Sequence, residues 1–220
     1  MQETIQQIRK QLRLAMNGVV SSSMREKGMD YKMNFGVSVP KIKEIASQYQ
    51  PNEELASLMW VQDVRELKIM ATLLFPVDLF TLDVAERWVR EIKHLEISEQ
   101  LAANLLPKLP FAEELAARFI TDEEEFVSVT GYLLFARLCS LGKSLQEVHV
   151  NLLLDEAYKV LNKGLSRKQR AASLALKRFG RQSAEQGTAV LNAIAEFKNS
   201  ESPERTEIYN DIKFEFEYYE

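Results

Sequence analysis

Between Ala157 and Ala184 the chain carries eight basic residues and no acidic one: Lys159, Lys163, Arg167, Lys168, Arg170, Lys177, Arg178 and Arg181. Cations gathered without counter-charge make a surface suited to an anion, and phosphate is the first candidate. Few other residues invite chemistry. Glu96 and Glu99 stand three apart, the spacing of neighbours on one helix face. They read either as the solvated start of a helix, where acids are favoured by the dipole, or as the source of a functional carboxylate. His94 and His149 are far apart and show no partner pattern, so each reads as a surface or interface histidine. The single cysteine, Cys139, lies in the apolar run from Tyr132 to Leu141 and reads as a buried core thiol. Nothing resembles a metal-binding cluster, a phosphate-cradling glycine loop or a nucleophile elbow, so no cofactor and no metal are expected.

The elements that must position these groups are helices. Apolar residues recur at helical spacing nearly throughout, as in Ile5, Ile8, Leu12 and Ala15, in Leu67, Met70, Ala71 and Leu74, and in Ala172, Ala175, Leu176 and Phe179. Prolines and glycines fall between the stripes, among them Pro51, Pro76, Pro107, Pro110, Gly142 and Gly164. This punctuation predicts about ten to twelve helices of roughly two to five turns, with no strand. Trp60 and Trp88 fall within apolar stripes and read as core. Tyr31 and Phe35, near Arg25, Lys27 and Lys32, read as either one rim of a cleft or a packed loop.

The basic segment can be oriented more closely. Ser166 is a suitable N-cap and Gly180 a suitable helix end. With about 100° per residue, Ala172, Ala175, Leu176 and Phe179 form one face, while Arg170, Leu174, Lys177 and Arg181 form the opposite one. Leu174 therefore sits in the middle of a basic face, flanked by Arg167, Lys168 and Arg178. Its reading is a binding surface, or else a solvated face with one exposed leucine.

Across all 220 residues the formal net charge is −4, which argues against a dedicated high-affinity DNA binder but not against one local basic face. The lone cysteine fits a reducing compartment. The N-terminus lacks the apolar core of a secretory signal, and no stretch approaches the ~18 apolar residues of a membrane span, so a cytoplasmic protein with no membrane partner is expected. Residues 201–220 hold seven acids against Arg205 and Lys213, with aromatics at 209, 214, 216, 218 and 219. This end reads as an acidic capping helix or as a tail able to dock on the basic face. Phe214 to Tyr218 alternates apolar and acidic residues, which suits the end of a last helix.

Three stretches resemble one family. Phe35-Gly36-Val37-Ser38-Val39-Pro40 is similar to its phenylalanine-glycine-valine-x-x-proline motif, followed by a helix like Lys41 to Ala46. Leu58-Met59-Trp60 with Arg65-Glu66-Leu67 looks like its leucine-tryptophan and arginine-glutamate helices. Ala172 to Arg181 resembles its tryptophan-alanine-leucine-arginine helix. The family is the AlkD-like DNA alkylation repair proteins. The resemblance implies an all-α fold, an α-α superhelix of HEAT-like helical repeats, over a single domain spanning 1–220. It also implies DNA held on a concave basic face and excision of cationic alkylated purines by an aspartate flanked by tryptophans. Here Leu95-Glu96-Ile97-Ser98-Glu99 is the best match to the aspartate motif. Glu99 stands for the catalytic acid, while Leu95 and Leu174 stand where aromatics would be, and Lys177 replaces an arginine. A carboxylate near the sugar stabilises the positive charge that develops there, and each flanking ring adds about 0.5–2 kcal/mol of attraction to a cation; leucine supplies no such ring. The expectation is a protein that binds duplex or damaged DNA through Arg170, Lys177, Arg181, Arg167 and Lys168, with weak or no glycosylase activity. The alternative is a protein-interaction scaffold that has abandoned DNA.

Overall fold

The computed structural model describes residues 1–164 and 166–217. They form thirteen α-helices: α1 Gln2–Leu14, α2 Gly18–Glu26, α3 Val39–Ala46, α4 Glu53–Trp60, α5 Arg65–Leu74, α6 Leu82–Arg90, α7 Leu95–Asn104, α8 Ala112–Ile120, α9 Glu125–Ser140, α10 Glu147–Leu161, α11 Arg167–Gly180, α12 Ala184–Ala193 and α13 Pro203–Glu217. Among the described residues the only β pairing is an isolated bridge between Met33 and Val64. The total exceeds the ten to twelve read from sequence. One reason is α2, Gly-Val-Val-Ser-Ser-Ser-Met-Arg-Glu, which buries only Ser21 and so carries no apolar stripe. It is held instead by an Asn17 cap, whose Oδ1 accepts from the Val20 N–H at 3.1 Å, and by Gly36. Gly36 has φ +67°, and a Cβ there would strike the Asn17 carbonyl and the Ser21 N–H. Phe214 to Glu217 is the last turn of α13; Tyr218 and Tyr219 lie outside the described residues. Among the described residues no helix is long and apolar enough to cross a membrane.

The chain divides into two compact units. The first comprises Met1–Ala85 and Lys93–Leu109, and the second Glu86–Ile92 and the chain from Pro110 on. In the first, α5 packs between α4, α3 and α7, burying Leu67, Ile69, Met70 and Ala71 against Ile42, Ile45, Met59 and Trp60. Trp60 is buried, as its stripe predicts, and so is Trp88 in the second unit.

The second unit is built on α9, which packs on α8 and α11. Helix α9 has no polar face: Val127, Val129, Tyr132, Leu134, Phe135, Leu138 and Cys139 are all buried, as an internal helix requires. Burial drives the Cys139 thiol up to about 12, consistent with a core thiol that stays protonated. Gly131 lets α9 approach α8, since a Cβ there would lie 2.6 Å from the Ile120 amide nitrogen and 2.8 Å from the Phe119 Cβ. Both obstacles are at or next to backbone and cannot swing aside. Gly131→Ala is therefore expected to lose about 1–2 kcal/mol in a urea titration, overpacking outweighing the better helix propensity of alanine. A variant as stable as wild type would show that α8 slides freely on α9.

Candidate nucleic-acid interface

Helix α11 begins where the sequence places it. The Ser166 Oγ accepts from the Gln169 N–H at 3.0 Å, capping the first turn. Its buried side is Ala171, Ala172, Ala175, Leu176 and Phe179, packed on α9, α10 and α12. Arg170 is exposed, and Leu174 and Lys177 are half-buried on the other side. The helical-wheel assignment of Leu174 to the basic side thus matches the structure.

That basic side is not open along its length. Helix α13 lies against it. Lys177 Nζ pairs with Asp211 at 2.7 Å, and Arg181 Nη1 with Glu215 at 2.9 Å. Arg178 reaches the same Glu215 at 3.9 Å. The 177–211 and 181–215 pairs share one sequence offset in the same chain direction, so α11 and α13 run parallel. The Phe216 ring fits against Gly180 and Gly187, where a Cβ at Gly180 would collide with it. Nearer the start of both helices the two walls separate around a cavity of about 550 Å³, lined by Arg170, Leu174 and Lys177 from α11 and by Glu204, Glu207 and Asp211 from α13, among others.

The flanking cations are used differently. Arg167 pairs with Glu125 at 3.1 Å and stands over the Phe126 ring at 5.7 Å. Lys168 donates to the Asp122 carbonyl at 3.3 Å. Partial burial, and then the charge of Lys163, weaken the hold of Lys168 on its proton. Arg170 and Lys163 are exposed and make no ion pair among the described residues.

The carboxylate candidates lie in the other unit. Helix α7 starts after His94, placing Leu95, Glu96 and Glu99 in its first turns. Glu96 is not the solvated acid its position suggests. Its two oxygens take Arg65 Nε at 2.7 Å and Nη2 at 2.6 Å, a bidentate pair. Arg65 is itself buried, and its Nη1 also donates to Glu66 at 2.9 Å and to the Val37 carbonyl at 2.8 Å. Glu66, fully buried, accepts the N–H groups of Phe35 at 3.1 Å and Val37 at 3.3 Å. The phenylalanine-glycine-valine loop is thus fastened to α5 and α7 by one ionic network. This makes Tyr31 and Phe35, both buried, a packed loop rather than a cleft rim.

Glu99 is exposed and makes no ion pair among the described residues. Partial shielding from water, and then the charge of Glu96, raise its proton affinity. Leu95 is half-buried beside it in sequence.

His94 packs on Tyr31, ring centres 4.1 Å apart, with its Nε2 3.3 Å from Asp30. Burial lowers its proton affinity despite the attraction of Asp30, Asp63 and Glu96. The folded chain therefore binds that proton less well than the unfolded chain. The stability gained from neutral His94 is complete above its ordinary value near 6.5 and is lost as pH falls below it. His94→Gln should flatten unfolding free energy against pH across this mildly acidic range, measured by urea titration; an unchanged profile would assign the acid sensitivity elsewhere.

Among the described residues no group of three or more His, Cys, Asp or Glu is arranged to hold a metal ion. Sequence reasoning missed the Arg65–Glu96 pair, and for an acidic end able to dock on the basic face it named no pairs, because each joins residues some thirty positions apart, as the 31 and 34 residues of separation show.

A sequence profile described as DNA alkylation repair enzyme matches residues 8–208. No curated protein matches the chain. Among solved structures, one described as a new family of proteins related to the HEAT-like repeat DNA glycosylases, with affinity for branched DNA structures, is 15% identical. It superposes with a TM-score of 0.78 over 95% of this chain and 94% of its own. A designed armadillo repeat protein, 14% identical, aligns with a TM-score of 0.43 over 96% of this chain and 98% of its own. The fold is the all-α, HEAT-like helical-repeat type.

Proposed function

Because the chain belongs to the DNA alkylation repair enzyme family, we propose that it binds DNA, duplex or branched, through the basic side of α11 that carries Arg170, and excises alkylated bases weakly or not at all. The observation that carries this reading is Arg170, exposed and unpaired among the described residues on an acid-free helix. Lys163 and Arg167 stand nearby in sequence as further phosphate partners. A fold relative described by its affinity for branched DNA supports the same class of ligand.

The weak excision follows from chemistry. Leu95 and Leu174 offer no ring quadrupole to a cationic base.

The test is fluorescence anisotropy with labelled duplex and four-way-junction DNA at low and physiological salt. Each phosphate contact contributes about 0.9 to the logarithmic salt slope. Arg170→Gln is therefore expected to weaken binding about eightfold at roughly 0.1 M salt and to flatten the slope by about one. No binding at low salt, or binding indifferent to Arg170→Gln, would sink the reading and make a protein partner the working one.

A further inference from the structure

The cavity between α11 and α13 has more chemistry than a phosphate-binding face needs. Its α11 wall is Gln169, Arg170, Ser173, Leu174 and Lys177. Its α13 wall is Glu204, Glu207, Ile208 and Asp211. The α13 set, and Arg170, Ser173, Leu174 and Lys177 of α11, follow the same i, i+3, i+4, i+7 spacing, so each runs as a stripe about 10 Å long, with Gln169 beside the α11 stripe. Extending the register of the Lys177–Asp211 and Arg181–Glu215 pairs sets Arg170 level with Glu204, and Ser173 and Leu174 level with Glu207 and Ile208. The Lys177–Asp211 pair closes one end. At the other end Arg170, Glu204 and Glu207 make no ion pair among the described residues, and the two walls stand apart. Leu161, Leu174 and Ile208 supply apolar surface between the charges.

This pattern selects a ligand. A simple anion would meet the carboxylates of α13, and a simple cation would meet Arg170. An apolar molecule would leave both kinds of charge facing a dry surface, which is costly. A free amino acid carries its two charges on one carbon and cannot reach across. A ligand with an anionic end, a flat apolar middle and a hydrogen-bond-donating edge satisfies every wall, and the volume of about 550 Å³ lies in the usual small-ligand range of about 300–1,000 Å³.

We propose that the α11–α13 cavity holds a single nucleotide unit, its phosphate on Arg170, its base between Leu174 and Ile208, and its amino edge on Glu204 and Glu207. The unit comes either from an unpaired nucleotide in branched DNA, the source that rests on the DNA-binding reading above, or from a free mononucleotide. Aliphatic walls stack a base without the specificity of aromatic ones, so discrimination falls to the carboxylates. Cytosine offers the two N–H donors of its N4 amino group to the two carboxylates, whereas thymine offers the single N3–H between two carbonyl acceptors that the carboxylates repel. The site therefore prefers cytosine to thymine.

The experiment uses the full chain and four-way junctions that are fully paired, or carry one unpaired C, or one unpaired T, read by anisotropy. Deoxycytidine and deoxythymidine monophosphates are titrated alongside by calorimetry. The unpaired C is expected to bind about tenfold tighter than the unpaired T, the scale of hydrogen bonds to a charged group. The double variant Glu204→Gln/Glu207→Gln should abolish that difference with an unchanged circular dichroism spectrum. Ile208→Trp, which fills the cavity, should abolish the gain that an unpaired nucleotide gives over the fully paired junction. Junction binding that ignores the unpaired base and the glutamine variant overturns the nucleotide site and leaves DNA binding standing. If no DNA binds, the DNA reading has failed and the monophosphates decide. Deoxycytidine monophosphate held by wild type and lost in the double variant supports the site with a free nucleotide as its source; no binding of either monophosphate overturns it.

Discussion

Arg65→Met is expected to lower the unfolding free energy by about 3–5 kcal/mol, the usual consequence of removing one partner of a buried ion pair. Arg65 is 1% exposed and Glu66 wholly buried. Methionine would fill much of the volume but would leave the Glu66 charge with only the Phe35 and Val37 N–H groups. It would also release Glu96, whose two oxygens both rest on Arg65. The loss is one of charge balance rather than packing, and this has its own signature. In Arg65→Met/Glu66→Gln the buried charge is gone, while the glutamine carbonyl can still accept a loop N–H. The double variant should therefore recover part of the loss, and urea titrations of the two would show it. A single variant within about 1 kcal/mol of wild type, or a double variant worse than the sum of its parts, would mean that the network is not the fastening of the loop.

The second large effect is a gain. Asp211→Asn/Glu215→Gln should raise affinity for DNA by up to about sixtyfold at roughly 0.1 M salt and steepen the salt slope by about two, because Lys177 and Arg181 each become available to a phosphate. Both cations are now spent on α13, at 2.7 and 2.9 Å. Asp211 is 59% exposed, but Lys177, Arg181 and Glu215 are only 18, 27 and 21% exposed, so breaking the pairs costs the fold about 1 kcal/mol each, the upper end for ion pairs still reached by water. Both replacements keep the shape of the side chain, and Tyr209, Ile212 and the Phe216 ring still hold α13 in place. The control is Glu201→Gln/Glu217→Gln, which changes net charge equally. Glu217 pairs with Lys213 on its own helix, so this variant should bind DNA as wild type does. Equal gains in the two variants would show that only overall charge had mattered, and no gain in either would remove Lys177 and Arg181 from the interface.

These two effects mark the limits of what the sequence discloses. The face of α11 was legible: the Ser166 cap, the buried Ala172, Ala175, Leu176 and Phe179, and the placement of Leu174 among cations all follow from residues within a turn or two of one another. The family resemblance carried in the phenylalanine-glycine-valine loop and in the Arg65-Glu66 helix agrees with the profile match over residues 8–208. Helix α2 was illegible because its one buried side chain is a serine, so no apolar period announces it. The ion pair of Glu96 is illegible in the sequence, because a helix start and a buried ion pair look alike until Arg65 is known to lie beside it.

The helical class, the acid-free basic helix and the orientation of that helix therefore follow from the order of residues alone. Each depends on periodicity and capping, which act between near neighbours in the chain. Which charges remain open to a ligand depends instead on the fold. Lys177 and Arg181 are matched by α13, Glu96 is taken by Arg65, and Arg170 is left facing Glu204 and Glu207 across a cavity. Charge pairing acts over a few ångströms through space, and the fold alone brings residues 31 or 34 positions apart within that distance.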